Sequence, residues 1–513
     1  MSATPPTTPA ARRAASALVL YRRERGRIEV FLVERAAELR FFGGYHALPG
    51  GVRGKEDGPD ERGNAGPGLD GEPDLPPLAR CAERELFEET GVLLDPGLRT
   101  RLAASERDAV RTELLAGAEG ATRWSSLRPQ ALRADVLAPL CRICTPPFAP
   151  VRYDTVFFLA ELPQGEQPLV LPGELVGGRF MAPSEALAAW RRGEILIVPP
   201  VLILLELLRD GDLAAFASRA RAIADRYESG FLHHVRFSPG VVMASVRSPT
   251  LPPATTTNCL LVGEERLWIV DPATPDRDEQ ERLFALIDDL VADGRVPAGI
   301  AVTHHHQDHV GAVVATSRRY GLAVRGHPLT LDRLEPGFVR GEPLRDGDRV
   351  PLGVAPDGSA DWELVARATP GHDRGHLCFR ETRYDATFVG DMLSTVSTIV
   401  IDPPEGHLRT YLHSLERMLG DPMSTLYPAH GPAMRDGHRL IRQYLRHRRQ
   451  REATLLEALE NGPATLRELV AKVYWDTDAR MFPLAERSLL AGLDKLAEDG
   501  VARDCDDGRW CRA

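Results

Sequence analysis

No stretch of this sequence approaches the roughly 20 consecutive apolar residues that a membrane-spanning helix needs. The greasiest segment, Val198-Pro-Pro-Val-Leu-Ile-Leu-Leu-Glu-Leu-Leu208, is shorter, is interrupted by proline and carries Glu206, so it reads as a buried helix. The opening residues, Met1 to Pro9, have no apolar core of a secretory signal, and the run Ala15 to Tyr21 is too short and too promptly followed by charge to be one. Residues 1–12 are expected to be a disordered tail. Cysteine is sparse: seven residues, Cys81, Cys141, Cys144, Cys259, Cys378, Cys505 and Cys511, are scattered in a way that excludes a disulfide framework and fits a reducing cytoplasm. Cys141-Arg-Ile-Cys144 has no second pair nearby and is not read as a zinc or redox site. Positive charge is not in excess either. The 63 basic against 73 acidic residues leave a formal charge of -10, which disfavours a general nucleic-acid coat protein while allowing a local basic patch.

What is present is length and one dense cluster of ligand-type side chains. The 513 residues exceed one ordinary domain and suggest about three, and 43% hydrophobic content is enough for several cores. His304-His305-His306-Gln307-Asp308-His309 follows the apolar run Gly299 to Thr303. Histidine nitrogens and carboxylate oxygens at that density suit Zn²⁺ or a similar divalent ion. Three later segments share one context. His372 follows Leu364 to Ala368 in Thr369-Pro-Gly-His372, Asp391 follows Thr387-Phe-Val-Gly390, and His430 follows Thr425-Leu-Tyr-Pro-Ala429. Each is a strand-like run ending in a polar ligand, and α/β sites gather beyond the carboxyl ends of strands, so the four segments predict one shared pocket.

The series His-x-His-x-Asp-His, Thr-Pro-Gly-His, Val-Gly-Asp and Pro-Ala-His-Gly resembles the metallo-β-lactamase superfamily over about residues 245–435. The resemblance implies that His304, His306 and His372 hold one metal, that Asp308, His309 and His430 hold the other, and that Asp391 bridges them. It implies two Zn²⁺, or Fe or Mn, with a hydroxide shared between ions about 3.5–4 Å apart and oriented by Asp391 for attack on an ester, thioester or phosphodiester. Asp308 and Asp391 are the expected catalytic carboxylates. His305 and Gln307 are expected to point away, His376 to be structural, and Asp271, at a strand end, to brace a loop.

The N-terminal part carries different chemistry. Ser16 to Tyr21 and Ile28 to Val33 read as two strands joined by a charged turn, and Tyr45-His-Ala-Leu-Pro-Gly-Gly51 follows. The Gly/Pro/Asp-rich residues 57–77 form an expected flexible insert. A helix then presents Glu85, Glu88 and Glu89 at i, i+3 and i+4, within roughly a 100° arc. Carboxylates so close repel one another, and Mg²⁺ or Mn²⁺ would relieve this, with diphosphate oxygens completing the shell. Gly50-Gly51 before and Arg84-Glu-Leu-Phe-Glu-Glu-Thr-Gly-Val92 after resemble the Nudix box. The resemblance implies that the three glutamates bind metal and act in catalysis, that Arg84 braces them, and that water attacks a nucleoside or coenzyme diphosphate linkage. The box normally has a Glu eight residues before its Arg, where this chain has Pro76, so the insert is expected to disrupt the loop half of the motif. The insert, with Arg152-Tyr-Asp-Thr-Val-Phe-Phe158 and Phe180-Met-Ala-Pro-Ser-Glu-Ala186, is similar to the peroxisomal coenzyme A diphosphatase branch. Arg152 and Asp154 read equally as a strand-edge ion pair.

Asp212 to Tyr227 reads as an amphipathic helix leaving this domain, and Thr255 to Val262 with Leu267 to Asp271 as paired strands opening the next. At the end, a basic helix from Gly437 to about 460 precedes two shorter helices, Ala464 to Val473 and Pro483 to Asp499, and a hairpin turning at Asp507-Gly508. This resembles the winged-helix tail of lactamase-like hydrolases, including the lactamase-like endoribonucleases; the lactamase half also resembles glyoxalase II type hydrolases. Acidic residues populate the tail too, so a solvated or packing helix stands beside nucleic-acid binding. The expected fold class is α/β multi-domain: a Nudix α/β/α sandwich at 13–210, a helical linker at 211–245, a metallo-β-lactamase αββα sandwich at 246–435 and a small winged helix at 436–513. The expected function is a cytoplasmic bifunctional hydrolase acting on small-molecule diphosphate and ester or thioester substrates. The alternative is an RNA-processing endoribonuclease with RNA as partner. No membrane partner is expected, and the oligomeric state is left open.

Overall fold

A computed structural model describes residues 12–39, 42–58, 75–128, 131–146, 149, 151–505 and 508–513. Residues 1–11 of the expected tail, residues 59–74 of the expected insert, and Asp507 of the expected hairpin turn lie outside them. The chain forms two compact units, 12–239 and Gly240–Ala513.

The first unit is built on one mixed sheet. Its strands are β1 (Arg12–Glu24), β2 (Arg27–Arg35), β3 (Tyr45–Ala47), β4 (Gly50–Val52), β5 (Ala138–Cys144), β6 (Arg152–Glu161), β7 (Leu175–Met181) and β8 (Leu196–Ile197). The order is β5-β6-β1-β2-β3-β8, with β4 on β1 and β7 on β2. Successive side chains of a strand face opposite ways. Thus Leu18 and Leu20 of β1 pack with Leu78, Ala82 and Leu86 of helix Leu75–Thr90. Val19 instead packs with Trp190, Leu202 and Phe216 from three helices that follow β7. Helices therefore cover both faces. The apolar run at 198–208 is the buried helix Pro199–Leu207, as its composition predicts.

The segment 211–245, expected as a helical linker, folds differently. Its helix, Leu213–Glu228, is seated in the core through Phe216, Ala220 and Ala224, so it belongs to the first unit. Residues His234–Ser238 (β9) and Val241–Arg247 (β10) are strands. The amphipathic pattern marked the helix correctly, but amphipathicity alone does not say which core the apolar stripe faces.

The second unit opens with β10, β11 (Thr256–Val262), β12 (Arg266–Val270), β13 (Val296–Ala301), β14 (Ala323–Arg325) and β15 (Val339–Arg340), laid side by side in chain order. A second sheet holds β16 (Arg349–Gly353), β17 (Trp362–Ala368), β18 (Leu377–Glu381), β19 (Ala386–Phe388), β20 (Thr425–Tyr427) and β21 (Met434–Arg435). The Trp268 indole donates to Pro351 O at 3.2 Å from one sheet to the other. In the second sheet β17–β18 and β18–β19 are antiparallel and β19–β20 is parallel. It follows that β17, β19 and β20 run the same way and end at one edge.

Helix Gly437–Glu460 belongs to two cores. Its first half packs Leu440, Ile441, Tyr444 and Leu445 with Tyr411 and Leu426 beside the second sheet. Its second half packs Leu455 and Leu459 with helices Leu466–Val473 and Phe482–Glu498. A small sheet of Ala464–Thr465, Arg509–Arg512 and Ala502–Asp504 completes this tail. Cys505 and Cys511 are joined across its hairpin. One bond is not the framework that the spacing excludes, but it leaves five free thiols rather than seven. The hairpin brings the pair together through cross-strand proximity that no Cys spacing displays. Among the described residues, no helix is long and apolar enough to cross a membrane.

Candidate metal centre

Seven side chains meet at the edge where β13, β17, β19 and β20 end. The loop after β13 carries His304 and His306, the short helix Gln307–Val310 that follows carries Asp308 and His309, the loop after β17 carries His372, the 3-10 turn Gly390–Met392 after β19 carries Asp391, and His430 follows β20. Among these seven, three sets bring ligand atoms within 4.8 Å of one another: His304, His306 and His372; Asp308, His309 and His430; and His304, His309 and Asp391; beside them His305, His306 and Glu405 form a fourth. In the first set His306 Nδ1 lies 2.9 Å from His304 Nε2 and 3.1 Å from His372 Nε2. Asp391 stands between the sets. Its Oδ2 is 3.5 Å from His372 Nε2, while Oδ1 is 3.2 Å from His430 Nε2 and 3.5 Å from His309 Nε2. Asp308 Oδ2 is 3.6 Å from His430 Nε2.

The surroundings orient each imidazole. His309 donates Nδ1–H to Asp271 at 2.8 Å, His372 to Val400 O at 2.9 Å, and His430 to Thr256 O at 3.1 Å. Each bond leaves Nε2 as a lone pair facing the cluster, which is how histidines are prepared for metal ligation. Asp271 also accepts from Thr303 N–H at 2.8 Å and the Thr303 hydroxyl at 2.7 Å. Thr303, its hydrogen thus committed, can accept from His304 Nδ1 at 3.0 Å. Asp271 is therefore the loop-bracing acid that its strand-end position predicts. His376 is likewise structural. It donates from Nδ1 to the Thr369 hydroxyl at 2.9 Å and accepts the Asp391 backbone N–H at 3.1 Å on Nε2. Gly390 is required here, because φ is +47° and a Cβ would stand 2.6 Å from His376 Nε2.

Charge completes the picture. Burial and the neighbouring His309 keep His304 well below its ordinary pKa, and burial with His372 lowers His306 to about 4. Both rings therefore stay neutral, with a lone pair to give. Asp391 is held well below the carboxylate range, despite its burial, by His430 and His309. His309 Nε2 and Asp391 Oδ1 are buried without a hydrogen-bond partner. Orphaned polar atoms of this kind are costly unless something else pairs with them. The nearby carboxylates Asp391 and Asp308 raise His309 and His430 instead. Converging imidazole nitrogens, carboxylates between them and two orphaned atoms fit a pair of divalent cations. His305 does not simply point away: it contacts Asp373 at 3.2 Å and Glu405 at 3.5 Å. Gln307 is exposed, as expected.

The first unit holds the other predicted group. Glu85, Glu88 and Glu89 lie on helix Leu75–Thr90. The Arg84 guanidinium contacts Glu85 at 2.9 Å and Glu88 at 3.1 Å, while Glu89 accepts Gly50 N–H at 3.1 Å. Among the described residues, the groups that meet within 4.8 Å all lie in the second unit. Burial raises Glu85 to about 7 and Glu88 above its ordinary value, and burial with Glu85 raises Glu89 well above it. Three half-buried carboxyls whose pKa values burial raises would gain from a cation beside them. Gly51 makes room for them, since a Cβ there would fall 2.4 Å from the Glu85 carboxylate.

Arg84 also has an acidic partner that the count back to Pro76 does not reveal. Asp57, on the far side of residues 59–74, lies fully buried and receives Arg84 Nε and Nη2, both at 2.9 Å. Asp57 is the first residue of the expected 57–77 insert, and it meets Arg84 where Pro76 offers no carboxylate. Position six after Gly51 was the available signal. The softer ion pair is also reassigned, because Asp154 is met by Arg142 at 2.9 Å and Arg152 donates to Thr145 O at 3.2 Å.

Comparison with known proteins gives matches to the metallo-beta-lactamase superfamily over residues 252–430 and to the beta-lactamase associated winged helix domain over 465–510. Lactamase-like protein notP of Aspergillus sp. (strain MF297-2) is 30% identical over 265 residues, covering 48% of this chain and 75% of that one. The atrochrysone carboxyl ACP thioesterase dmxR1 of Cryptosporiopsis sp. (strain 8999) is 27% identical over 288 residues, covering 52% and 82%. The crystal structure of a NUDIX hydrolase from Alicyclobacillus acidocaldarius is 30% identical, with 39% of this chain and 92% of that chain covered and a TM-score of 0.33.

Proposed function

Because the chain belongs to the metallo-β-lactamase superfamily, we propose that the cluster at the end of β13, β17, β19 and β20 is the dinuclear metal centre of a thioester hydrolase. The observation that carries this is Asp391, whose two oxygens face the two halves of the ligand set. Two divalent ions, when bound, supply Lewis acidity and a water that ionises near neutral pH. His304, His306 and His372 would hold one ion, and Asp308, His309 and His430 the other. Such a donor set takes zinc, iron or manganese, and zinc is the metal proposed. Asp271, Val400 O and Thr256 O keep the imidazoles fixed, so the ligands need not reorganise as charge develops. The thioester class rests on relatives named as acyl-carrier thioesterases.

The first unit is proposed as a Nudix-type hydrolase that cleaves a nucleoside or coenzyme A type diphosphate linkage with Mg²⁺ or Mn²⁺. Glu85, Glu88 and Glu89 would hold the cation, and the buried Arg84–Asp57 pair fixes the helix face against the glycine strand. Support comes from the three carboxyls that burial raises above their ordinary pKa and from the Gly51 cradle. Both readings are tested by one assay. Wild type, Glu88→Gln and Asp308→Ala are given coenzyme A, acyl-coenzyme A, NADH and single-stranded RNA. Glu88→Gln should abolish only diphosphate cleavage and Asp308→Ala only thioester cleavage. Cleavage of RNA in place of thioester, lost with Asp308→Ala, would move the second site to RNA processing.

A further inference from the structure

The metal-centre residues His306, Asp308, His372, Asp391 and His430 line one side of a cleft of about 720 Å³, within the range of drug-sized ligand sites. A second wall is the proline-rich loop Leu251–Ala254. The third wall belongs to the C-terminal tail and carries Tyr474, Met481 and Leu484. Met481 and Leu484 are absent from the tail's own hydrophobic core, which is built from residues such as Leu469, Leu489 and Leu493. These two side chains face the cleft instead of stabilising the tail.

The cations on this wall are already engaged. Arg448 donates to Ile399 O, Arg451 to Val473 O and to Asp476 at 2.7 Å, and Arg487 pairs with Asp402 at 3.1 Å. Arg448 and Arg487 tie the tail to the loop at 399–402, and Arg451 braces the tail internally. A phosphate backbone needs cations free to replace its counterions, and this wall holds its guanidiniums elsewhere. Beside these engaged polar groups, the wall offers the cleft the apolar side chains of Tyr474, Met481 and Leu484.

We propose that the winged-helix tail is the acyl-specificity wall of the hydrolase: Met481 and Leu484, facing Leu251, receive the bulky apolar acyl group of the thioester whose carbonyl lies at the metal centre. This rests on the thioester reading given above, and adds which part of the substrate the tail reads.

The test compares acetyl-, hexanoyl- and decanoyl-coenzyme A hydrolysis by wild type, Leu484→Trp and Met481→Trp, with metal content and Tm as folding controls. A second arm measures binding of the non-hydrolysable thioether S-decyl-coenzyme A by calorimetry. The expected result is a fall of at least tenfold in the decanoyl-to-acetyl ratio of kcat/KM in one or both variants, carried mainly by KM, with a matching loss of S-decyl-coenzyme A affinity. A ratio unchanged in both folded variants overturns the proposal while leaving the thioester reading intact. If wild type cleaves no thioester, that reading falls, and the thioether arm then decides the wall alone. Single-stranded RNA that competes with the thioether at the same site would also overturn it.

Discussion

Asp271→Asn is the sharpest test of how the second unit prepares its metal site. The Asp271 side chain is 4% exposed, so solvent does not screen what it does. One oxygen accepts Thr303 N–H, and the other accepts both the Thr303 hydroxyl and His309 Nδ1–H. Asparagine tolerates the left-handed backbone that this residue adopts, at φ +50°, and keeps one accepting oxygen. If that oxygen stays on Thr303 N–H, an NH₂ faces His309 Nδ1–H, donor against donor. The imidazole escapes by moving its proton to Nε2, the atom that faces Asp391. That removes the lone pair with which His309 would hold a metal. Losing such a supporting bond typically lowers metal affinity by about 10–100-fold, or roughly 1.4–2.7 kcal/mol. The assay is a competitive zinc titration against a chromophoric chelator, with thioester kcat/KM measured at limiting and saturating zinc. Affinity should fall by at least tenfold, and excess zinc should restore part of the turnover. Zinc affinity within twofold of wild type, with an unchanged Tm, would refute the tautomer mechanism.

Three further outcomes are expected. Chelation with EDTA should silence thioester cleavage, and zinc, iron or manganese added back singly should identify the working metal by which one restores it. Asp57→Ala leaves Arg84 as a buried charge without its bidentate partner; breaking such pairs costs about 3–5 kcal/mol, so a thermal melt should show an early transition for the first unit and diphosphate cleavage should fall. Gly390→Ala forces a Cβ to 2.6 Å from His376 Nε2 at a backbone angle of +47°. It should cost about 1–3 kcal/mol and reduce bound metal measured by elemental analysis, and an unchanged metal content would show that His376 does not position Asp391.

The metal-bearing half was legible because its ligands sit at strand ends. Strand direction then does the assembling: β17, β19 and β20 run the same way, so three loops far apart in sequence must open at one edge. The support around the ligands was less legible. Asp271 and His376 could be set aside as non-ligands, yet their partners are a neighbouring loop and a backbone N–H, which no spacing rule encodes. His305 shows the same limit from the other side. Its position in an alternating series suggests an outward side chain, but Asp373 and Glu405 come from other segments to meet it.

Covalent distance and spatial distance part company at inserts and shared helices. Counting back from Arg84 lands on Pro76, because the insert has been spliced between the glycines and the helix. Counting forward from Gly51 lands on Asp57, which makes its buried bidentate contact with Arg84 from 27 residues away in the sequence. The basic helix repeats the lesson. Its arginines look like one cationic stripe in sequence. The helix, however, is shared by two cores, so Arg448 and Arg451 turn inward to backbone carbonyls and Asp476, while Arg442 and Arg446 remain exposed. A charge count over such a helix overstates what it can offer a polyanion. What the tail can offer near the metals is decided by the side chains its own core leaves out, and those are Met481 and Leu484.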